Sequence, residues 1–203
     1  MPDDCYVNSP IVTSFITHVL EMVAAEPSLK IRVERMRTAF RNLLAADGWL
    51  PPEFTRPNPT STMGGGIASY LLYRREDRSL TLHALVIPAG AETPVHDHLA
   101  WGLVGLYHGE QDEEIFRRRD PSEAPGTATL SLAERRSLKP GDFYTLLPPE
   151  GDIHRVRTTS TVPSISIHLL GNDLGCIWRH SFDLHHGTIR DFRSGYANVE
   201  CSD

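Results

Sequence analysis

The feature that most constrains the fold is a succession of short β-prone segments between residues 69 and 170. Eight runs rich in β-branched and aromatic residues follow one another there, separated by Gly, Pro and Asp. The runs cover residues 69–75, 80–88, 101–107, 113–118, 127–133, 142–147, 153–159 and 164–170. Many short strands at such spacing are typical of a β-sandwich or barrel. This part of the chain is therefore predicted to be mainly β.

Two amphipathic helices are predicted before the strands. Ser9 followed by Pro10 is typical of a helix start, and Pro27 ends the apolar repeat that begins there. Ser28 is predicted to cap a second helix, which ends near Gly48. The apolar stripes consist of Ile11, Phe15, Val19 and Met22 in the first helix, and of Leu29, Val33, Met36, Phe40 and Leu43 in the second. We expect the two helices to form a cover packed on one sheet.

Length and composition predict a single domain across residues 1–203. The chain has 203 residues, of which 40% are hydrophobic, and all-β barrels of this size usually form one domain. Residues 1–48 would contain the helices and 69–198 the barrel. Residues 49–68 are rich in Pro and Gly, which predicts a wrapping loop without regular structure.

Charge and cysteine content bear on partners and location. The formal net charge is −6, and the one basic cluster, 117–119, follows an acidic run, so nucleic acid is not an expected partner. Cys5, Cys176 and Cys201 are odd in number and widely spaced, which predicts neither a disulfide framework nor a cysteine zinc site. No apolar run approaches the roughly 20 residues that span a bilayer, and the N-terminus is acidic. We expect a cytoplasmic protein that does not bind membranes.

Three histidines are predicted to form a metal site. His96 and His98 alternate along a predicted strand, so their side chains point the same way. His154 follows a turn at the start of a later strand. A lone histidine in a strand is usually only packed or solvated, but this spacing favours ligation, since histidine is the commonest metal ligand. Imidazole suits Zn, Cu, Fe and Ni alike, so the ligand type leaves the metal open.

The spacing of these histidines resembles that of the cupin superfamily. Residues 90–109 match the cupin pattern G-x5-H-x-H-x3-E-x6-G in every spacing, except that Gly102 stands at the glutamate position. Residues 149–154 match its second half, P-x-G-x2-H. The resemblance implies a double-stranded β-helix (jelly-roll) barrel. Three neutral ligands would leave the ion its full positive charge and open coordination positions, and such a centre favours anionic ligands.

A narrower resemblance is to the bacterial cysteine dioxygenase family, and most of all to its 3-mercaptopropionate dioxygenase branch. The resemblance covers roughly residues 45–198 and rests on 93–98, Trp101-Gly102, 164–168, Arg179 and Ser194-Gly-Tyr196, which occur in that order. It implies a non-haem iron(II) enzyme that uses dioxygen to convert a small anionic thiol to a sulfinate. The resemblance further implies that the iron ligands are His96, His98 and His154.

The same resemblance implies roles for three further side chains. Ser166 and His168 would form a hydrogen-bonded pair beside the iron, and Arg179 would bind the substrate carboxylate. Strand alternation along 164–170 supports this placement, because it puts Ser166, His168 and Leu170 on one face. Taken without the family, the serine and histidine could equally be a satisfied hydrogen bond in a core, and an arginine is more often a surface residue.

Three other positions are predicted to lie at the substrate. Trp101 precedes the glycine of the first motif. Leu170 stands where the family has a tyrosine, and Ser69 stands where related enzymes have an arginine or glutamine. Both departures remove polar groups from the pocket. Because serine cannot form the bidentate ion pair that arginine forms with a carboxylate, free L-cysteine is predicted to be a poor substrate.

Two other classes of function remain open at this stage. Cupins host many chemistries, so the chain could be a metalloenzyme with another metal and a non-thiol substrate, such as a decarboxylase, an isomerase or a carbon-cleaving dioxygenase. It could also be a ligand sensor without turnover. Retention of all three histidines argues against a sensor, because a binding module gains little from an open metal.

Overall fold

The computed structural model describes residues 2–61, 63–120 and 126–201. Its helices are α1 (Pro10–Ala25) and α2 (Leu29–Ala45), and a 3₁₀ turn spans Pro52–Thr55. The strands are β1 (Asp4–Cys5), β2 (Ala68–Arg74), β3 (Thr81–Ile87), β4 (Val95–His96), β5 (Gly102–His108), β6 (Gln111–Arg118), β7 (Leu130–Leu138), β8 (Phe143–Leu146), β9 (Ile153–Thr158), β10 (Ser164–Leu170), β11 (Arg179–Asp183) and β12 (Thr188–Phe192). No helix within these ranges is long and apolar enough to cross a bilayer.

The strands form two six-stranded sheets in the described part of the chain. Sheet I has the order β1-β2-β3-β10-β5-β8, and sheet II has the order β12-β11-β4-β9-β6-β7. The strand pairs are antiparallel. Side chains of both sheets line one cavity, so the sheets face each other around a lumen. The fold is mainly β, as predicted, and its two facing antiparallel sheets form the expected double-stranded β-helix (jelly-roll) barrel.

Both helices pack on sheet I, as predicted. Their apolar faces join the outward side chains of that sheet in one core, in which the rings of Phe15 and Phe40 lie 5.9 Å apart. Ser9 and Ser28 precede the helices at the predicted positions, but neither hydroxyl makes a capping hydrogen bond. The apolar stripes, rather than caps, therefore position the helices.

Strand alternation separates this core from the lumen. In β3, Leu82 and Ala84 lie in the helix-side core, whereas His83 between them lines the cavity. In β10, Ile167 lies in the core and His168 lines the cavity. This is the period of two that a strand imposes on its side chains. The lumen therefore receives polar side chains from both strands.

Each predicted β run contains a strand, but four strands lie outside those runs: β1, β4, β11 and β12. The hairpin of β11 and β12 was missed because charged and apolar residues mix there without alternation. The run at 127–133 is displaced, since β7 begins at Leu130 and continues to Leu138. The wrapping loop also contains a 3₁₀ turn where no regular element was expected.

The cysteine prediction was wrong about disulfides, because Cys176 and Cys201 form one. Their 25-residue separation gave no signal of pairing, but the β11–β12 hairpin turns the chain back on itself. The backbone N–H of Gly195 then donates to the carbonyl of Gly175 over 2.8 Å, which brings the last segment beside Cys176. Cys5 is the remaining free and exposed thiol. Cysteine usage therefore does not support the expected cytoplasmic location.

Candidate metal centre

His96, His98 and His154 converge in the lumen. One nitrogen of each ring lies within 4.8 Å of the others, and all three side chains are buried. The ring of His154 has its centroid 4.7 Å from that of His96 and 4.6 Å from that of His98. Within the described ranges this is the one group of three or more His, Cys, Asp or Glu side chains close enough to share an ion.

Two strands and one turn position the three rings. His96 in β4 lies directly opposite His154 in β9. His98 was expected on the same strand as His96, but β4 ends at His96 and His98 belongs to the following turn. The carboxylate of Asp152 holds this turn by accepting the backbone N–H groups of His98 and Leu99 at 3.0 and 3.2 Å. Leu99 adopts a φ of 54°, which is costly for a branched side chain, so the turn depends on that anchor.

Hydrogen bonds to the Nδ1 atoms orient the rings for ligation. Nδ1 of His96 lies 2.9 Å from the carbonyl oxygen of Pro94, and Nδ1 of His98 lies 3.3 Å from that of Asp152. Nδ1 of His154 bonds to a carboxylate oxygen of Glu113. With the proton on each Nδ1, the Nε2 lone pairs are left for a metal, and Nε2 of His154 is buried without any partner.

The protonation state of the rings also suits a metal. Burial lowers the pKa of His98 below its usual range and lowers that of His96 well below it, and the neighbouring His154 and Arg179 act in the same direction. Ligating imidazoles must be neutral. The donor set therefore fits a divalent transition metal.

Glu113 is a functional residue that the sequence analysis missed. It is 1% exposed and lies on β6 beside His154. Burial acts to raise its pKa, but the hydrogen bonds with His154 and Tyr144 and the charge of Arg136 hold that pKa below its usual range. Arg136 places Nε 3.5 Å from the second carboxylate oxygen. Alternation along β6 would have placed it on the buried face, which Gln111, Glu113 and Ile115 share. The acidic run in this strand is instead typical of side chains that face solvent.

Gly102 supplies no ligand, in agreement with its departure from the cupin pattern. A Cβ atom at this position would overlap the carbonyl oxygen of Leu169 and a methyl group of Leu170 on the neighbouring strand. The close approach of β5 and β10 therefore excludes a glutamate there without a backbone shift. The histidines leave coordination positions open to ligands from outside the chain.

The cavity beside the histidines contains three of the predicted substrate-side residues. Ser69, His168 and Arg179 line it together with His96 and His98. Ser166 does not line the cavity. Its hydroxyl is 2.9 Å from Nε2 of His168, so the predicted pair is formed.

Trp101 and Leu170 do not line this cavity. The indole of Trp101 packs against Gly171, and the guanidinium of Arg32 lies 5.6 Å from its ring centre. Leu170 packs in a small apolar cluster with Val104, Leu146 and Leu174, and only Leu174 of that cluster reaches the cavity. Trp101 therefore faces the helix side and Leu170 is covered by its neighbours, so neither side chain reaches this cavity.

Arg179 is a lumen residue. It is 4% exposed, its Nη1 donates to the backbone carbonyl of Asp97 over 2.8 Å, and its Nε is buried without a partner. Its guanidinium lies 4.4 Å from the ring centre of Phe192. Burial lowers its pKa to about 10, so it stays charged at neutral pH. This burial excludes the alternative that Arg179 is an ordinary surface arginine.

His83 is the second residue that the sequence analysis missed. It lies on β3 directly opposite His168 on β10, and their rings stack with centroids 4.7 Å apart. Alternation along 80–88 would have placed it in the lumen, but a single histidine outside the two motifs gave no reason to look there.

No family model matches this chain. The chain is similar in structure to recombinant oxalate oxidase in complex with glycolate (16% identity, 64% of this chain and 62% of that chain covered, TM-score 0.43). It is also similar to a conserved protein with a double-stranded β-helix domain from Klebsiella pneumoniae. The identity is 14%, the match covers 64% of this chain and 94% of that chain, and the TM-score is 0.43. A third similar structure is KdgF from Halomonas sp., with 16% identity, a match that covers 54% of this chain and 83% of that chain, and a TM-score of 0.38. At these values nothing about function transfers from them.

Proposed function

We propose that this protein is a non-haem iron(II) thiol dioxygenase, which adds both atoms of dioxygen to the sulfur of a small anionic thiol and yields a sulfinate. The observation that carries the proposal is a buried cluster of three histidines, of which His96 and His98 line one cavity together with the buried Arg179. A centre without a carboxylate ligand keeps its positive charge and favours anionic ligands. The resemblance of the two histidine motifs, the serine-histidine pair and Arg179 to the bacterial cysteine dioxygenase family supports iron and a thiol.

Arg179 would bind the negative end of the substrate. A guanidinium buried with an unpartnered Nε is costly unless an anion completes its hydrogen bonds. Carboxylates match the planar donors of arginine. Because Arg179 lines the same cavity as His96 and His98, an anion held by Arg179 would leave the other end of a short thiol near these two ligands.

The remaining lumen residues orient and shield the substrate. Burial and the nearby charges lower the pKa of His168 well below its usual value, so its ring is neutral and fixes the hydroxyl of Ser166. Apolar side chains such as Leu85 and Phe192 line the same cavity and exclude water. Iron(II) bound by the three histidines would supply the redox chemistry that joins dioxygen to sulfur.

Oxygen uptake by the iron-loaded protein with a panel of thiols tests this proposal. We expect consumption of dioxygen and formation of a sulfinate with 3-mercaptopropionate, slower reaction with L-cysteine, and none with the alcohol analogue 3-hydroxypropionate. His154→Ala should abolish both metal retention and uptake. Stoichiometric zinc in the purified protein, together with no oxygen uptake by the iron-reconstituted protein for any thiol, would overturn the proposal in favour of another cupin chemistry or a sensor.

A further inference from the structure

His83 and His168 form a second histidine pair on the wall of the metal cavity. Their strands, β3 and β10, belong to sheet I, whereas the ligand strands β4 and β9 belong to sheet II. Their rings stack with an interplanar angle of 23°. His83 is 3% exposed, and both side chains line the cavity. His83 takes no part in the ligand set, in the Ser166 pair or in the contacts of Arg179.

Both rings present a buried nitrogen without a partner. Nε2 of His168 is engaged with the hydroxyl of Ser166, but its Nδ1 makes no hydrogen bond, and neither does Nδ1 of His83. Buried polar atoms are nearly always satisfied, because an unmade hydrogen bond costs the full desolvation of the group. Unpartnered nitrogens in a ligand cavity therefore indicate that the ligand supplies the missing partner.

The charge around His83 restricts what that partner can be. Burial, with the nearby His98 and Arg179 acting in the same direction, lowers the pKa of His83 to about 3, so the ring is neutral. Among the described residues that line the cavity, none is acidic. An ammonium group on the ligand would therefore find no anionic side chain and would lie in the field of Arg179 and of a bound metal ion.

A hydroxyl group satisfies these conditions. A neutral imidazole nitrogen donates a hydrogen bond in one tautomer and accepts one in the other. A hydroxyl can pair with the nitrogen in either tautomer, whereas an ammonium can only donate. A hydroxyl also carries no charge to be repelled by Arg179. The cavity thus offers an anion site at Arg179, a metal site for sulfur and a polar neutral site at His83.

We propose that His83 is a specificity-determining residue that hydrogen-bonds a hydroxyl on the substrate, so that the preferred ligand is a short hydroxylated thiol carboxylate rather than an amino thiol. This inference rests on the proposed function, because it takes the sulfur and the carboxylate from that proposal. To the thiol and the carboxylate it adds a hydroxyl as the third group that the protein recognises.

Anaerobic binding to the iron(II)-loaded protein tests the inference without turnover. The probes are 3-mercaptopropionate and its 2-hydroxy and 2-amino derivatives, which differ by one substituent, and dissociation constants are measured by calorimetry. We expect the 2-hydroxy compound to bind roughly tenfold more tightly than the unsubstituted one, as one hydrogen bond to a buried neutral group allows, and the 2-amino compound to bind most weakly.

Variants then assign the preference to His83. His83→Phe keeps an aromatic ring on His168 but removes both nitrogens, and should bring the affinity ratio of the hydroxylated and unsubstituted thiols to about one. His83→Gln keeps a polar group and should retain part of the preference. Leu85→Ala is the matched control, since Leu85 lies two residues along the same strand and lines the same cavity. It should keep the ratio even where both affinities change.

The outcomes separate the two proposals. Binding of no thiol would defeat the proposed function and this inference together. Binding of 3-mercaptopropionate with no preference for the 2-hydroxy compound in the unmodified protein would overturn the role of His83 alone, and this result does not depend on whether any variant folds. A preference that survives intact in a folded His83→Phe protein would likewise remove His83 from substrate recognition.

Discussion

At the scale of single residues, Arg179 is the side chain whose burial most needs a ligand. Truncating one partner of a buried charged pair typically costs about 2–5 kcal/mol, which corresponds to a loss of roughly 30- to 5,000-fold in kcat/KM. We expect Arg179→Ala to retain iron and to lose catalytic efficiency on 3-mercaptopropionate within this range. A rise in KM alone would indicate that Arg179 binds the ground state and the transition state equally well. A fall in kcat would indicate that Arg179 positions the sulfur for reaction.

Arg190→Ala is the control for that experiment, because Arg190 is an exposed arginine on the neighbouring strand β12. Its kinetics should match those of the unmodified protein. If Arg179→Ala, with full iron content, is equally unaffected, the carboxylate is bound elsewhere.

Glu113 should control metal affinity through His154. Its carboxylate holds Nδ1 of His154 and so fixes the tautomer and the basicity of Nε2. We expect Glu113→Gln to weaken metal binding roughly 10- to 100-fold, as loss of such an outer partner generally does. Competition with a chelator, using cobalt(II) as the probe ion, measures the dissociation constant directly.

Glu114→Gln is the matched control for Glu113. Glu114 is the next residue on β6, but its side chain pairs with Arg135 and Arg155 on the other face of the strand. Its exchange should leave metal affinity unchanged. Equal affinities in both variants would mean that the bond from Glu113 to His154 does not act on the ligand.

The residues that could be predicted from the sequence are those whose spacing carries the chemistry. His96 and His98 are two positions apart in the sequence, and His154 follows a recognisable turn. Local geometry was therefore enough to predict that the three imidazole rings converge. Alternation would have placed Glu113 and His83 on buried faces, but it could not have assigned them a role, because each acts through a partner on another strand, His154 for Glu113 and His168 for His83. Pairing between strands is set by the tertiary fold.

At the scale of elements, the C-terminal segment depends on the disulfide between Cys176 and Cys201. This segment also bonds to β2, since Ala197 N–H donates to the carbonyl of Ser69 over 2.7 Å, which ties it to a cavity-lining strand. Closing a loop of 25 residues stabilises a protein by roughly 3–4 kcal/mol in the chain-entropy model. Cys201→Ser should lower the free energy of unfolding by about that amount under oxidising conditions.

Denaturant unfolding measures this effect, with Cys5→Ser as the control because Cys5 is free and exposed. The control should unfold at the same denaturant concentration as the unmodified protein. A Cys201→Ser variant as stable as that control would show that the disulfide does not stabilise the C-terminal segment.

Elements with a regular pattern were predictable, and elements held by tertiary contacts were not. α1 and α2 carry continuous apolar stripes, and β3 and β10 carry clear β-prone runs, so all four lie where the sequence placed them. The hairpin of β11 and β12 has no such pattern, although it positions Arg179. Pairing with β4 stabilises it, and this contact is visible only in the folded chain.

At the scale of the whole molecule, the barrel divides its faces between stability and chemistry. The helices cover the outside of sheet I with the largest apolar core, while the lumen between the sheets holds the histidines and Arg179. Burial of ionisable groups is tolerated there because ligand, metal and hydrogen bonds can compensate for it. This division explains why sequence alternation alone predicted a polar lumen and an apolar outer face.

The fate of the two oxygen atoms tests the central claim most directly. The iron-loaded protein is supplied with ¹⁸O₂ and 3-mercaptopropionate in ordinary water, and the product is analysed by mass spectrometry. We expect one dioxygen to be consumed per thiol and the sulfinate to carry two labelled oxygen atoms. A disulfide with hydrogen peroxide, or a product with one labelled atom or none, would contradict the central claim.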